Sequence, residues 1–226
     1  MSNQILHIES LTRSFETPAE RLVILDSLDL TVNRGSKTVI VGESGCGKST
    51  LLNIIGGLES PTSGKVIAGD YLVNQLDEKE LAQYRGSFVG LVFQFHYLLK
   101  DFTALENVML PAFMRGMKKR EALDRARMLL TDVKLEHRLD HYPAQMSGGE
   151  RQRAAVARAL INEPALVLAD EPTGNLDPAN ARVVMDILFS VVSDYNNTLI
   201  MVTHDQNAAA MTDTCYNLKN GKLVEQ

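Results

Sequence analysis

Apolar and polar residues fall into blocks whose lengths and periods separate strands from helices. Ile5-Leu6-His7-Ile8-Glu9-Ser10-Leu11 alternates loosely and predicts an edge strand, with Phe15 following after a polar break. Residues 21–25 and 28–32 predict two short strands around Asp26-Ser27, and Asn33-Arg34-Gly35 marks the next turn. The run Thr38-Val39-Ile40-Val41 stops at Gly42, and Leu51-Leu52-Asn53-Ile54-Ile55 follows Thr50, which predicts strand, glycine turn, helix. Ser60-Pro61-Thr62-Ser63-Gly64 is a turn, a strand resumes over 65–68, and a helix opens near Leu76 with Asp77 as its N-cap.

The character changes after Arg85. Phe88-Val89-Gly90-Leu91-Val92-Phe93 predicts a short buried strand that ends at Gln94. From about residue 103 to 147 the pattern is helical. Thr103 and Glu106 fit a capping box, and Ala122, Ala126, Leu129, Leu130 and Val133 recur near the 3.6 period. The basic cluster Lys118-Lys119-Arg120, followed by Glu121 and Asp124, reads as a solvated face. After Gly149 another helix runs through residues 154–161 and stops before Pro164. Ala165-Leu166-Val167-Leu168-Ala169 is continuously apolar, as a parallel strand buried on both faces must be. A helix over 179–195 precedes a second such strand, Thr198-Leu199-Ile200-Met201-Val202-Thr203, and then His204. Short strands near 216–218 and 223–224 flank the turn Lys219-Asn220-Gly221. Strands alternating with helices give an α/β class, with residues 87–149 as a helical subdomain and 1–86 plus 150–226 as the core.

Composition narrows this little. With 226 residues, 45% of them hydrophobic, the chain can bury one large core. Its formal net charge of −5 opposes nucleic-acid binding, which needs a basic footprint. No apolar run approaches the roughly 20 residues of a membrane span, and the N-terminus lacks the basic-then-apolar pattern of a secretory signal. Cys46 and Cys215, the two cysteines, make no disulfide framework. These readings place the protein in the cytoplasm.

Three stretches carry chemistry. Gly42-Glu43-Ser44-Gly45-Cys46-Gly47-Lys48-Ser49-Thr50 has the form of a phosphate-binding loop, in the strand–turn–helix context that such a loop needs. Glycines let backbone N–H groups curl around an anion, and the helix N-terminus adds donors and partial positive charge. Lys48 would reach the β- and γ-phosphates, and the Ser49 hydroxyl would face Mg²⁺. Second, the apolar run 165–169 ends in Asp170 and Glu171, at the strand end where α/β sheets bind ligands. Asp170 is placed to hold Mg²⁺, and Glu171 to orient the water that attacks the γ-phosphorus. Third, Ser147-Gly148-Gly149-Glu150 precedes a helix and offers a second anion-binding N-terminus. One nucleotide does not need two such sites from one chain. Two chains packed head to tail would let each complete the other's site.

The combination resembles the nucleotide-binding subunit of ATP-binding cassette (ABC) transporters, over essentially the whole chain. Ser147-Gly148-Gly149-Glu150 matches the family signature, with Met146 where leucine is usual. Gln94 matches the Q-loop, Asn175-Leu176-Asp177 the D-loop, and His204 the switch histidine. Phe15 stands where the family often stacks a tyrosine on adenine, and Cys46 where a small residue is common. The resemblance implies a P-loop NTPase core of the ABC ATPase type, with an N-terminal antiparallel β subdomain and an inserted helical subdomain. It implies ATP and Mg²⁺ as cofactors, with Ser49, Gln94 and Asp170 around the metal and Glu171, His204, Lys48 and Gln94 in catalysis. Ser147, Gly148, Gly149, Glu150 and Asp177 would join the nucleotide site of a homodimer formed with ATP. The segment after Gln94 would meet membrane permease subunits, and the chain would sit peripherally on the cytoplasmic face of the inner membrane. Residues 94–108, with Phe95-His96-Tyr97-Leu98-Leu99 among them, look like the lipoprotein-releasing branch of the family. Its macrolide-export and cell-division relatives share Gly56-Gly57-Leu58 and Leu168 to Asp177, and stay as alternatives. A soluble ABC ATPase outside transport is the reading of another class. The repair and chromosome types carry a long coiled coil, for which the interval from Lys48 to Ser147 leaves no room.

Overall fold

In a computed structural model, which describes residues 3–16 and 21–226, the chain forms two compact units. The first gathers the residues up to Arg85 with Leu168–Asp170 and Thr198–Gln226. The second gathers Gly86–Val167 and Glu171–Asn197.

The first unit opens with two long antiparallel strands, β1 (Gln4–Glu16) and β2 (Arg21–Asn33). The expected edge strand is instead an inner one. β1 also pairs with β4 (Ser63–Ala68), and β5 (Tyr71–Leu72) completes the order β2-β1-β4-β5. The two short strands expected around Asp26-Ser27 are one continuous β2. The reason lies in the pairing of the two strands: Ser10 and Ser27 take φ of 48° and 46°, so β2 kinks at the expected turn without ending and β1 kinks across from it. Side chains satisfy the displaced backbone, with Ser10 N donating to Asp29 Oδ1 at 2.7 Å and Ser27 N to Thr12 Oγ1 at 3.1 Å. The shift lets Leu11 face Leu28, both buried. Phe15 lies within β1, not beyond a break.

The same unit holds the strands that carry the nucleotide chemistry. β3 (Lys37–Val41) runs parallel to β8 (Thr198–Thr203) on one side and β9 (Thr214–Lys219) on the other. β10 (Lys222–Glu225) forms a hairpin with β9, and the end of β7 (Leu166–Asp170) lies beyond β8. All six residues of β8 are buried, which explains its unbroken hydrophobic run. α1 (Lys48–Ile55) follows the glycine turn, and α2 (Glu78–Ser87) starts on Asp77. Asp77 Oδ1 accepts from Glu80 N at 2.8 Å and Glu80 Oε2 from Asp77 N at 2.9 Å, so the expected cap is a reciprocal box. Tyr84, fully buried, donates its hydroxyl to the Ile55 carbonyl at 2.8 Å and fastens α2 to the end of α1.

In the second unit β6 (Val89–Phe93) lies beside the start of β7, and four helices surround them. These are α3 (Ala104–Met114), α4 (Lys119–Asp132), α5 (Gly148–Leu160) and α6 (Pro178–Asp194). α3 carries the expected capping box of Thr103 and Glu106. Ala122, Ala126, Leu129, Leu130 and Val133 are all fully buried, as their spacing requires. The helical pattern expected up to residue 147 is discontinuous. After α4 it breaks into short turns at Glu136–Arg138 and Pro143–Gln145. Gly90 lets β6 and α5 touch: a Cβ there would lie 2.4 Å from the Ala159 carbonyl oxygen.

Candidate nucleotide site

In the first unit the phosphate loop joins β3 to α1. Gly47, at φ 107°, takes a left-handed conformation that side chains other than glycine rarely adopt, and it leads directly into α1. Lys48 is the first helical residue and is buried, with 6% exposure. Its Nζ donates to the carbonyls of Gly42 and Glu43, each at 2.9 Å, which holds the ammonium inside the loop mouth. Glu43, Ser44 and Gly45 line the exposed rim, Cys46 and Thr50 are half-buried, and Ser49 is exposed. A cleft of about 380 Å³ opens along this loop, bounded by Gly42, Glu43, Cys46, His204 and Asn217. Cys46 packs against Gly42, where an added Cβ would come within 2.8 Å of its Sγ. His204 is exposed just past β8.

Ser49 Oγ donates to Asp170 Oδ1 at 3.0 Å, so residues 121 positions apart meet at the ends of α1 and β7. A hydroxyl and a carboxylate are hard oxygen donors of the kind Mg²⁺ takes. Among the described residues no group of three or more His, Cys, Asp or Glu could hold a metal ion alone. Phe15 is 40% exposed at the end of β1, and the Arg13 guanidinium lies 4.4 Å over its ring.

The second unit brings the remaining residues together by hydrogen bonds. Gln94 directly follows β6; its Nε2 donates to Asn175 Oδ1 at 3.2 Å, and Asn175 Nδ2 donates back to the Gln94 carbonyl at 3.3 Å. Glu171 sits at φ 44°, an uncommon conformation for a side chain this size, inside a turn closed by Gly174 N donating to its carbonyl at 3.0 Å. Asp177 caps α6. Its Oδ1 accepts from Ala179 N and Asn180 N at 3.1 Å, and its Oδ2 from Asn180 Nδ2 at 2.6 Å. Asn180 and the α6 backbone hold this carboxyl below its usual range.

Ser147 caps α5, accepting from Glu150 N at 3.2 Å, while Glu150 Oε2 accepts from Ser147 N at 2.7 Å and Oε1 from Arg138 Nε at 2.8 Å. Glu150 is therefore a brace for the turn. Burial alone would raise its carboxyl, but the bonds from Ser147 and Arg138 outweigh that and hold it down at about 2. A depressed carboxylate stabilises the fold fully above its ordinary value of 4.5 and loses that stabilisation as pH falls toward 2. The urea midpoint of wild type should therefore fall through that window more steeply than that of Glu150→Gln. Parallel curves would assign the acid sensitivity elsewhere.

Several residues that organise this unit carry no motif. Arg158 on α5 donates to the carbonyls of His96 and Tyr97, each at 2.7 Å, and Gln152 on the same helix donates to Phe93 O at 3.1 Å. The segment after Gln94 is thus fastened to the helix that begins at Ser147. Arg158 was legible as a lone cation in the apolar stretch 154–161.

Comparisons with known proteins agree with this geometry. The family profile described as ABC transporter matches residues 25–174. The chain is 61% identical to a "Lipoprotein-releasing system ATP-binding protein LolD" of Treponema denticola, across the full length of both. It is 56% identical to the LolD of Treponema pallidum, over 99% of each chain. The dimeric post-hydrolysis state of the ATP-binding cassette MJ0796, bound to ADP and Pi, superposes with a TM-score of 0.89 at 37% identity, covering 98% of this chain and 97% of that one. A phosphate loop, a strand-end acid pair and a serine-glycine helix start, joined to these likenesses, lead to one statement: the chain belongs to the ABC transporter family.

Proposed function

We propose that this chain is the ATP-hydrolysing subunit of a transporter, that it drives a separate membrane permease, and that the cargo is lipoprotein released from the inner membrane. The observation that carries the ATPase reading is the meeting of phosphate loop, Ser49–Asp170 pair and His204 in one unit. Likeness to LolD proteins along the whole chain, at 61% and 56% identity, supports the cargo. Among the described residues no helix is long and apolar enough to cross a membrane.

Each residue then has a task. The loop amides and Lys48 bind the β- and γ-phosphates, and Phe15 offers a ring to the base. Ser49 and Asp170, with the Gln94 amide oxygen, would hold Mg²⁺, which supplies positive charge to the phosphate oxygens. Glu171 accepts the proton of the attacking water, and His204 holds the γ-phosphate end of the site. Ser147 and Gly149 of a second copy would close over the nucleotide, consistent with the dimeric state of the MJ0796 cassette. Phe95 and Tyr97, 60% and 64% exposed, present the surface for the permease.

The test is recovery of tagged Glu171→Gln chain from detergent-solubilised membranes in Mg-ATP, with mass spectrometry of what accompanies it. A lipoprotein-releasing permease is expected, and its yield should fall in Phe95→Ala and Tyr97→Ala. An exporter or cell-division permease would reassign the cargo. Recovery of ribosomal or DNA-bound proteins without a permease would overturn the transporter reading.

A further inference from the structure

The basic cluster read from sequence as a solvated face has apolar company. The tip that joins α3 to α4 exposes Met114 to 77% and Phe113 to 47%, and Met128 on α4 to 48%. Arg115, Lys118, Lys119 and Arg120, in the same turn between the helices and at the start of α4, are all exposed, and Lys118 and Arg120 share a groove with Met128. Solvated faces do not gather a phenylalanine and methionines beside four cations. A shallow groove of about 560 Å³ runs along the same side of α4, with Met117 and Met128 as its apolar floor and Lys118, Arg120, Glu121 and Asp124 on its edge. Of the nearby acids, Asp124 is engaged by Arg127 at 3.4 Å and Glu163 by Arg125, so neither faces the four cations of the tip unpaired. Glu121 is the acid that remains on this edge. The chain as a whole carries −5, so this tip is a local reversal of sign.

We propose that the α3–α4 tip is a docking surface for an anionic phospholipid bilayer. Two features favour lipid over an acidic protein. The apolar groups are an exposed phenylalanine and unbranched methionines at the end of α3 and on α4, able to enter acyl chains without a shaped partner pocket. Lys118, Lys119 and Arg120 are exposed and have no side-chain hydrogen bond or ion pair among the described residues, which matches a smeared negative surface more than discrete carboxylates. The chain's acidic remainder does not cancel this, because charges more than a Debye length of about 8 Å from the membrane are screened at physiological salt. Docking would orient the subunit on the membrane independently of nucleotide.

Flotation of the full chain with vesicles, without nucleotide, tests this. The chain is expected to float with mixed phosphatidylglycerol–phosphatidylcholine vesicles, to ignore phosphatidylcholine alone, and to release in high salt. At about 1 kcal/mol for each Lys or Arg near such a surface, one charge is worth roughly fivefold in affinity, so Lys118→Gln/Lys119→Gln/Arg120→Gln should lose about a hundredfold. Met114→Ser should weaken binding while leaving its salt dependence. These positions are exposed, and an unchanged thermal melt separates lost docking from lost fold. Wild type that stays off anionic vesicles, or a triple variant that floats equally well, overturns the proposal. Wild type that ignores vesicles but binds a synthetic acidic amphipathic helix through these cations overturns it in favour of a protein partner. A chain that hydrolyses ATP with its permease yet ignores anionic vesicles loses this proposal and keeps the transporter reading.

Discussion

Glu171→Gln is expected to keep nucleotide affinity while lowering hydrolysis by about 10²–10⁴-fold, the usual cost of losing a general base. That corresponds to roughly 3–5 kcal/mol on the barrier. The substitution is nearly isosteric and leaves the φ of 44° and the Gly174–Glu171 turn in place, so folding stability should not move. What changes is the ability of the side chain to accept a proton from water. With hydrolysis blocked, the ATP-bound dimer should persist and elute as such in size-exclusion chromatography with ATP. Asp170→Asn makes the informative contrast. It alters the partner of Ser49 and should weaken the Mg²⁺ dependence of binding as well as turnover. Wild-type turnover in Glu171→Gln would remove Glu171 from the chemistry. Loss of binding in that variant would make it a nucleotide ligand instead.

The difference between the two acids shows what sequence carries well. Val167, Leu168 and Ala169 can only be a buried strand, so their C-terminal neighbours must emerge at the ligand edge. Local rules of this kind also gave the phosphate loop, the N-cap at Asp77, the capping box at Thr103, and the α4 stripe. They failed where a polar pair can serve two local structures. Asp26-Ser27 reads as a turn, yet across from Ser10 it forms a matched kink in two long strands, a choice made by pairing with residues far away in sequence. Motif recognition likewise found Glu150 and Asp177 but not their geometry. Both carboxylates are occupied by helix starts in this structure, a detail set by Arg138 and Asn180. The clasp of Gln94 and Asn175 joins two motifs 81 residues apart, and no periodicity announces it.

The least legible of these residues has the largest expected effect on stability. Asn107 lies in the first turn of α3 with 1% exposure, where an apolar side chain would be the ordinary choice. Its Oδ1 accepts from Leu99 N at 2.7 Å, and its Nδ2 donates to the carbonyls of Leu99, Phe102 and Thr103 at 3.1, 2.9 and 3.0 Å. One amide thus satisfies the backbone of the loop between the exposed aromatic segment and α3. Asn107→Leu keeps the branched shape but leaves Leu99 N and the Phe102 carbonyl without this partner, at about 1–3 kcal/mol for each one that water does not reach, while the Thr103 carbonyl keeps the Asn107 N–H and the Leu99 carbonyl the Phe102 N–H. With two of them sealed, the variant should lose roughly 3–5 kcal/mol, read as a lower urea midpoint at unchanged slope. Thr103→Ala, which removes only the cap, should lose about 1 kcal/mol. The two losses also differ in kind. The Asn107 variant frees the loop after the aromatic segment while the α3 core of Ala104, Val108 and Ala112 stays packed. If that segment is the permease contact, permease-stimulated hydrolysis should fall further than basal hydrolysis in the folded fraction. A loss below the cost of the cap alone would mean that the loop is held by packing and that its carbonyls find water.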